Sequence, residues 1–468
     1  MTIYDKLKEL GFSTVDASFY EKVQDWNSWY IGNVKNFHKY QIKTGKNTIN
    51  CKRYSLGMAK KVAEDWAGLL MNEKVKITLE GAAEQTFVDE IFTANNFTVI
   101  ANEMQEVKFA LGTVAYIPRV VGMVEGEGAK EIAIDVVTAP HIFPLSWHNG
   151  IIAECAFSSI VSVSGSTYLY LQIHRKAKDG TYDIENRIFR YENQNISDAN
   201  LADVKGFENV PPVVHTRSEQ RQFVIDRPNI ANNLDYSVPM GVSVFANAID
   251  ALESCDIAFD AFTTDFITGK RRMFISPSAT EYIGGEPAFD DHDIALYVLP
   301  EDITGENKPI QTVGGEFAVE HTRNGIQAAL NLLSAKCGFG ENHYSFEGDS
   351  VATATQVIAE NSTLFRTIKK HEIILESALK ELCRIILRLG NSAMNAGLNE
   401  NVEISVDFDD SVIEDKTADF SRDMQLLAAG IMNDWEFRAK WMNEDEQTAK
   451  AALPKMQDLT TEPQGDVE

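Results

Sequence analysis

The sequence predicts an α+β protein with several lobes, in which a strand-rich segment precedes long amphipathic helices. Short alternating strands separated by Gly, Asn and Asp-Gly turns occupy residues 113–192. Apolar residues at three- and four-residue spacing then recur over 241–268, 317–337 and 350–389, which is typical of helices. The length of 468 residues corresponds to about three average domains.

Composition excludes two broad classes of protein. With 44% hydrophobic and 24% charged residues, the chain has the apolar content of a folded protein rather than a disordered one. No run of 18 apolar residues occurs, and the first ten residues, MTIYDKLKEL, lack the apolar core of a signal peptide. We therefore expect no membrane partner and a product that stays in the cytoplasm.

The chain is strongly acidic, with 43 Lys and Arg against 69 Asp and Glu and a net charge of −26. Because tight nucleic-acid binding needs a basic surface, this charge argues against a protein that sequesters DNA. It does not argue against one that lets DNA pass without holding it. The five cysteines are far apart and form no C-x-x-C motif, so we expect buried free thiols in a reducing compartment.

Helical and strand patterns alternate along the first 240 residues. The aromatic-rich residues 1–50 are predicted to be helical, followed by a helix at about 54–71, a strand at 75–79 and a helix at 86–111. Five alternating segments are predicted as strands: VAYIPRVV, EIAIDVV, IIAECAFSSI, TYLYLQIHR and NRIFRYE.

The helix predicted at 241–268 has one apolar and one acidic face. The apolar face consists of Val244, Ala248, Leu252, Cys255, Phe259, Phe262 and Phe266. The acidic face consists of Glu253, Asp256 and Asp260, flanked by Asp250 and Asp265. A basic cluster of Lys270, Arg271 and Arg272 follows at the carbonyl end of the helix, where cations are favourable.

The remaining chain is predicted to contain a small α/β insertion, two helices and an acidic C-terminal segment. The insertion spans about 273–315 and is followed by a helix at 317–337 and a glycine-rich loop, GFGENHYSFEGD. The longest helix is predicted at 350–389, capped by Ser350 and ended by Gly390. A strand at 402–408 precedes short acidic helices, and residues 457–468 are predicted to be disordered.

Enzyme motifs are missing from the sequence. It contains no G-x-x-x-x-G-K-[ST] phosphate loop and no G-x-S-x-G nucleophile elbow, and His371-Glu372 lacks the second histidine of a zinc protease. Asp290, Asp291, His292 and Asp293 offer oxygen donors for a divalent cation, but they lack the glycine and distal glutamate of a calcium loop and fit a solvated turn better. We expect no enzymatic activity, no metal site and no cofactor.

The order of elements resembles that of the portal proteins of tailed bacteriophages, specifically those of siphophages of Gram-positive bacteria. The resemblance covers roughly residues 20–450 and is carried by the following stretches: KRYSLGMAKKVAEDWAGLLMNEKV, VVTAPHIFPLSWHNGIIAECAFSS, RPNIANNLDYSVPMGVSVFANAIDALESCDIAFDAFTTDF and TATQVIAENSTLFRTIKKHEIILESAL.

The resemblance implies a portal fold with a strand-rich wing, a two-helix stem, a small α/β clip, a long spine helix and a helical crown. By position, these parts would be the wing (1–240), the first stem helix (241–268), the clip (269–316), the second stem helix (317–337), the channel loop (338–350), the long helix with the return strand of the wing (351–409), and the crown with a disordered tail (410–468).

The resemblance also implies a mechanical function. Portal proteins form a ring, usually of twelve subunits, at one capsid vertex; they nucleate head assembly, conduct double-stranded DNA during packaging and ejection, and join head to tail. The implied partners are the terminase large subunit, a head–tail adaptor, and the major capsid and scaffolding proteins. The implied locations are the virion and, during assembly, the host cytoplasm. ATP hydrolysis would belong to the terminase motor.

Two sets of residues are candidates for the channel wall. Asp250, Glu253, Asp256 and Asp260 would line the stem and repel DNA, so that it slides; alternatively, they solvate an outward-facing surface. His343, Tyr344 and Phe346 would contact DNA sterically from the channel loop, which has no Lys or Arg; alternatively, this loop is a plain connector. Two other functions remain open: another lattice- or tube-forming virion protein, and a metal-dependent nucleic-acid enzyme at Asp290–Asp293.

Overall fold

The computed structural model describes most of the chain. The described residues are 3–44, 47–122, 131–192, 195–268, 272–275, 296–298, 310–313, 319–345, 354–408, 416–442, 444 and 446–453. The chain divides into two compact units, Met1–Phe408 and Asp409–Glu468. Helices and strands are mixed along the first unit, which confirms the predicted α+β class.

The helices of the first unit are α1 (Ile3–Glu9), α2 (Ala17–Tyr30), α3 (Met58–Leu70), α4 (Ala82–Ala94), α5 (Phe97–Leu111), α6 (Ile249–Thr268), α7 (Val319–Cys337) and α8 (Ala354–Met394). Those of the second unit are α9 (Lys416–Ala428), α10 (Asp434–Met442) and α11 (Glu446–Ala451). None of these helices is both long enough and apolar enough to cross a membrane.

The strands are β1 (Lys39–Thr44), β2 (Asn47–Lys52), β3 (Lys76–Leu79), β4 (Val114–Val121), β5 (Glu131–Thr138), β6 (Ile142–His148), β7 (Ile151–Val163), β8 (Ser166–Lys176), β9 (Tyr182–Glu192), β10 (Asn195–Ala199), β11 (Val213–His215), β12 (Val224–Asp226), β13 (Arg272–Ile275), β14 (Leu296–Val298), β15 (Ile310–Val313) and β16 (Ile404–Asp407). All five strands predicted between residues 113 and 192 are confirmed.

The largest sheet has the strand order β10-β9-β8-β7-β6, with β11 also paired to β9, and its pairings are antiparallel. Leu7 of α1 packs on this sheet against Phe143, Leu169 and Phe189. Smaller sheets have the orders β12-β4-β5, β1-β2 and β16-β3. In the predicted insertion, β13 pairs in parallel with β14 and antiparallel with β15.

Two stretches predicted as helix differ in the structure. Residues 39–44 and 47–52 form the antiparallel strand pair β1–β2, and the helix predicted at 86–111 is divided into α4 and α5. The division occurs because the Asn95 side chain bonds β5, donating to the Ile132 carbonyl (2.9 Å) and accepting from the Ile134 N–H (2.8 Å). Asn96 then adopts a left-handed φ of +50°, which a helix cannot continue.

The helix predicted from residue 241 begins only at Ile249, because the preceding segment is bonded to the end of α5. The Gly241 N–H donates to Thr113 Oγ1 (3.0 Å), and the Val244 N–H donates to the Phe109 carbonyl (2.9 Å). Gly112 (φ +86°) and Gly241 approach so closely that a Cβ on either would overlap the backbone of the other. These tertiary bonds occupy donors that helix formation would otherwise satisfy.

Helix α8 also differs from its prediction at the C-terminus. It passes through Gly390 and ends at Met394, and Asn395 (φ +53°) supplies the left-handed residue that glycine was expected to supply. Gly390 is instead a packing position, since a Cβ there would lie 2.7 Å from Cζ of Phe87. Ser350, the predicted cap, lies outside the described residues.

The apolar residues that recur at helical spacing along α8 are largely buried. Ile368, Leu375, Leu379, Leu382, Ile386 and Leu389 are all buried, whereas Phe365 is 37% exposed. The side chains of Ala354 and Ile358 lie outside the description. All five cysteines are free thiols, as predicted, and all are buried except Cys51, which is half-buried.

Candidate functional site

Helices α6 and α7 form an antiparallel pair. Lys336, near the end of α7, donates to the carbonyl of Asn247, two residues before the start of α6 (3.3 Å). The small β13–β15 sheet is connected to the other end of the pair, where α6 ends and α7 begins. Burial raises the pKa of the Cys255 and Cys337 thiols, one on each helix, to about 12, so both thiols stay protonated at neutral pH.

The apolar face predicted for α6 is only partly covered within the subunit. Near its start, Ala251, Leu252 and Cys255 are buried. Toward its end, Phe266 of this face is 45% exposed, and the adjacent Ile267 is 52% exposed. The half of α6 next to the β13–β15 sheet therefore presents uncovered apolar surface.

The four acidic residues predicted to line a channel occupy three environments. Asp250 is exposed, Glu253 and Asp260 are half-buried, and Asp256 is 4% exposed. Asp260 accepts a hydrogen bond from the backbone N–H of Tyr54 (2.9 Å). The acids therefore do not form one solvated row.

The Asp256 carboxylate anchors the segment that leads into α3. Its Oδ1 accepts from the Leu56 N–H (2.7 Å), and the Ser55 hydroxyl lies within hydrogen-bond distance of both oxygens (3.2 and 3.1 Å). Its Oδ2 lies 2.8 Å from Nε2 of His38, which is also buried. Because Nδ1 of His38 accepts from the Val34 N–H (2.8 Å), the neutral ring carries its proton on Nε2 and donates it to Asp256.

For Asp256, the prediction of a channel-lining carboxylate is wrong. Helical periodicity placed it beside Glu253 and Asp260, but the segment around Ser55 covers it. An ionised carboxylate becomes stable at such a buried position when it accepts several hydrogen bonds.

The first half of the predicted channel loop is bound to α3 and α7. The Tyr344 hydroxyl donates to Asp65 Oδ2 of α3 (2.8 Å), and Gln327 of α7 donates to the Tyr344 carbonyl (2.7 Å). His343 Nε2 lies 3.8 Å from the same Asp65 oxygen. Burial raises the pKa of Asp65, but hydrogen bonds from His343, Lys61 and Tyr344 outweigh it, so the pKa lies below its usual value.

An aromatic stack fixes the same loop to the core. Phe109, Trp66, Phe339 and His343 follow one another with near-parallel rings, at centroid distances of 5.4, 4.8 and 4.3 Å. The Trp66 indole N–H donates to the carbonyl of Cys337, the last residue of α7 (3.1 Å). Residues 338–345 of the predicted channel loop therefore pack on α3 and α7 within the subunit.

Other predicted site residues lie outside the described part of the chain. These are Phe346, Lys270, Arg271 and the cluster Asp290–Asp293. Arg272 begins strand β13. Among the described residues, no group of three or more His, Cys, Asp or Glu side chains is arranged to hold a metal ion.

Sequence reasoning missed three residues that organise this region: His38, Asp65 and Trp66. Trp66 lies within the helix predicted at about 54–71, but its partners come from α5 and from the segment after α7. No local pattern signals such pairings, because the partners are separated by tens to hundreds of residues.

Comparison with known proteins gives one family match. A family model described as "Phage portal protein, SPP1 Gp6-like" matches residues 13–460. No curated protein sequence matches the chain.

Solved structures that match the chain include two necks of gene transfer agent (GTA) particles. The neck of an empty particle, with C6 symmetry, matches with a TM-score of 0.43 and 11% identity, covering 82% of this chain and 89% of that chain. The neck of a native particle, with C12 symmetry, matches with a TM-score of 0.41 and 10% identity, covering 82% and 88%.

Proposed function

Because the chain belongs to the SPP1 Gp6-like family of phage portal proteins, we propose that its subunits form a closed ring around a channel for double-stranded DNA at one capsid vertex. The family match over residues 13–460 is the observation that carries this proposal. The protein is a portal protein and a structural component of a phage-related particle.

The uncovered apolar surface of α6 supports ring formation. Phe266 and Ile267, which are adjacent near the end of α6, are each about half exposed, and exposed apolar surface on a soluble protein can mark an interface. A head-to-tail contact that closes on itself generates a ring. We propose a ring of twelve subunits in which α6 and α7 form the stem. The first compact unit, Met1–Phe408, would contain the wing and the stem, and the second, Asp409–Glu468, would form the crown.

The stem contributes acidic groups to the proposed channel. Of the predicted lining residues, Asp250 and Glu253 are the best candidates, because neither is buried and neither anchors the chain before α3. DNA carries one negative charge per ~1.7 Å, so a carboxylate wall repels it and favours sliding over binding. We also propose that the 338–350 segment contacts DNA. For the basic residues 270–272, the proposed role is a favourable interaction of their cations with the carbonyl end of the stem helix.

The small β13–β15 sheet is the proposed clip that meets other proteins. It leaves the stem at one end, and exposed strand edges are surfaces on which partners can add. The proposed partners are the terminase large subunit during packaging, a head–tail adaptor afterwards, and the capsid and scaffolding proteins during assembly in the host cytoplasm. The proposed source is a siphophage of a Gram-positive host.

Negative-stain microscopy of the purified protein tests the ring. We expect closed particles with a central hole, and we expect the pair Phe266→Ser and Ile267→Ser to reduce them strongly. The control is Ile151→Ser, which changes a 65% exposed residue on β7 and should leave ring formation intact. A monodisperse wild-type monomer in both low and high salt would contradict the proposal.

A further inference from the structure

The paired strands β1 and β2 (residues 39–44 and 47–52, hereafter the basic arm) lie in the most cationic stretch of an acidic protein. Between Trp26 and Ala63 the chain contains eight Lys and Arg and no Asp or Glu. Since the whole chain carries −26 and this stretch contributes +8, the remaining residues carry −34. The charge of this stretch is thus opposite in sign to the net charge of the rest of the chain.

One face of the arm carries cations without anionic partners. Antiparallel pairing places Lys39 directly opposite Lys52, on the same face as Lys43. All three side chains are exposed, and none forms an ion pair with a carboxylate in the described part of the chain. Like charges directly opposite each other destabilise a hairpin, so this face is arranged for an acidic surface that the subunit does not supply.

The other face of the arm carries uncovered apolar side chains. Ile42 is paired with Ile49, and Tyr40 with Cys51. The two isoleucines are 46% and 51% exposed. A two-stranded ribbon that is solvated on both faces is only marginally stable alone, so burial of this pair by a partner would stabilise the arm.

The base of the arm is fixed to the stem helix on both sides. His38, immediately before β1, and Leu56, shortly after β2, both bond the Asp256 carboxylate of α6 (2.8 and 2.7 Å). The Arg53 guanidinium stacks over Phe37 (4.2 Å) across the same base. The base of the arm is therefore anchored to α6 by residues on both sides of the strand pair.

From these features we propose that the basic arm docks on a second copy of this chain, with its apolar face buried against that copy and its lysines facing carboxylates there. This inference rests on the proposed ring, in which each subunit would place its arm on the next. A second copy is favoured over DNA for two reasons. Phosphate contacts would use the lysines but leave Ile42 and Ile49 exposed, and the strongly acidic remainder of the chain supplies the complementary charge.

Cys51 allows a test on the wild-type protein, because it lies on the apolar face of the arm and is the one cysteine of the five that is not buried. Labelling with a maleimide-benzophenone probe, followed by irradiation and mass spectrometry, should yield cross-links to a neighbouring copy in assembled protein. It should yield none in dissociated subunits. Cross-links to an added DNA duplex but not to protein would overturn the docking and favour a nucleic-acid contact.

Matched variants test the two faces separately. We expect Lys39→Glu with Lys52→Glu, and Ile42→Ser with Ile49→Ser, each to raise the protein concentration needed for half-assembly by at least about tenfold. The charge control, Lys176→Glu with Lys178→Glu, and the apolar control, Ile151→Ser with Ile160→Ser, alter similarly exposed residues of β7, β8 and the adjacent turn. Both controls should assemble like wild type.

The outcomes separate the docking from the ring itself. If wild type assembles while Cys51 forms no cross-link and the arm variants assemble normally, only the docking is refuted. If wild type never assembles, the ring is refuted and the docking falls with it. Circular dichroism of each variant establishes folding, and the wild-type cross-link decides the question should a variant fail to fold.

Discussion

The buried Asp256 carboxylate shows how one residue can hold distant segments together. It joins α6 to the segment entering α3 and to His38 through hydrogen bonds of 2.7 to 3.2 Å. Asp256→Asn keeps the shape of the side chain but removes its negative charge. The new amide NH2 group would face some of the N–H and O–H groups that donate to Asp256 in the wild type. We expect a loss of about 2–3 kcal/mol in the free energy of unfolding, measured by urea denaturation.

The matched control for this change is Asp265→Asn, at an exposed position on the same helix. Its effect should stay within about 0.5 kcal/mol, as for ordinary surface substitutions. Equal effects of the two substitutions would show that the Asp256 bonds do not stabilise the subunit.

Histidine burial predicts a pH dependence of stability. His174 is fully buried between Phe157 and Phe223, and burial lowers its pKa to about 3. The unfolded state, with a pKa of about 6.5, binds the proton more readily, so stability is complete above this pH and is lost as pH falls toward 3. At pH 5 the loss for this residue is about 2 kcal/mol.

His174→Leu removes this titration while keeping an apolar side chain of similar size. We expect the variant to lose less stability than wild type between pH 7 and pH 5, measured by urea midpoints at both pH values. A residual loss should remain, because burial also lowers the pKa of His371 to about 3. His321→Leu, at an exposed position on α7, should retain the wild-type pH dependence; an unchanged slope in His174→Leu would contradict the assignment.

At the scale of secondary-structure elements, replacing glycine by alanine should have opposite effects on stability in helices α7 and α8. In α8, a Cβ at Gly390 would lie 2.7 Å from the Phe87 ring, which joins this helix to α4. In α7, a Cβ at Gly325 meets nothing within 4 Å. We expect Gly390→Ala to destabilise by about 1–3 kcal/mol through overpacking, although alanine is the better helix former.

Gly325→Ala should instead stabilise α7 by up to about 1 kcal/mol, since only helix propensity changes. Thermal unfolding tests both expectations: the unfolding midpoint should fall for Gly390→Ala and rise for Gly325→Ala. Stabilisation by both alanines would show that Phe87 moves aside freely.

The loop after α7 provides a second prediction at this scale. Tyr344→Phe removes the hydrogen bond to Asp65 but keeps the ring packed near Phe339 and His343. We expect faster amide hydrogen exchange over residues 338–345, with unchanged exchange in the six-stranded sheet. Tyr236→Phe, at an 85% exposed position, serves as the control, and equal exchange in the two variants would show that the aromatic stack alone holds the loop.

At the scale of the whole molecule, net charge dominates the response to salt. With −26 overall, repulsion among carboxylates opposes the compact state, and salt screens it. The Debye length falls from about 30 Å at 0.01 M to about 8 Å at 0.15 M ionic strength. We expect the thermal unfolding midpoint to rise over this range of NaCl and then to level off; a falling midpoint would mean that attractive ion pairs outweigh the repulsion.

The sequence alone determined the properties that depend on neighbours along the chain. Alternation and helical spacing located the strands between 113 and 192 and helices α6, α7 and α8, because side-chain periodicity follows from local backbone geometry. The order of these elements identified the portal family, which the match over residues 13–460 confirms.

The exact ends of the helices and the burial of individual polar groups depend on contacts between distant parts of the chain. Helix α6 loses its first turns because Val244 bonds the end of α5 and Gly241 bonds Thr113 just after it. Gly390 does not end α8, because it packs on Phe87. Asp256 is buried because a segment 200 residues earlier in the chain closes over it. The physical reason is the same in each case: hydrogen bonds and close packing satisfy groups brought together from distant parts of the chain, and local periodicity carries no information about such partners.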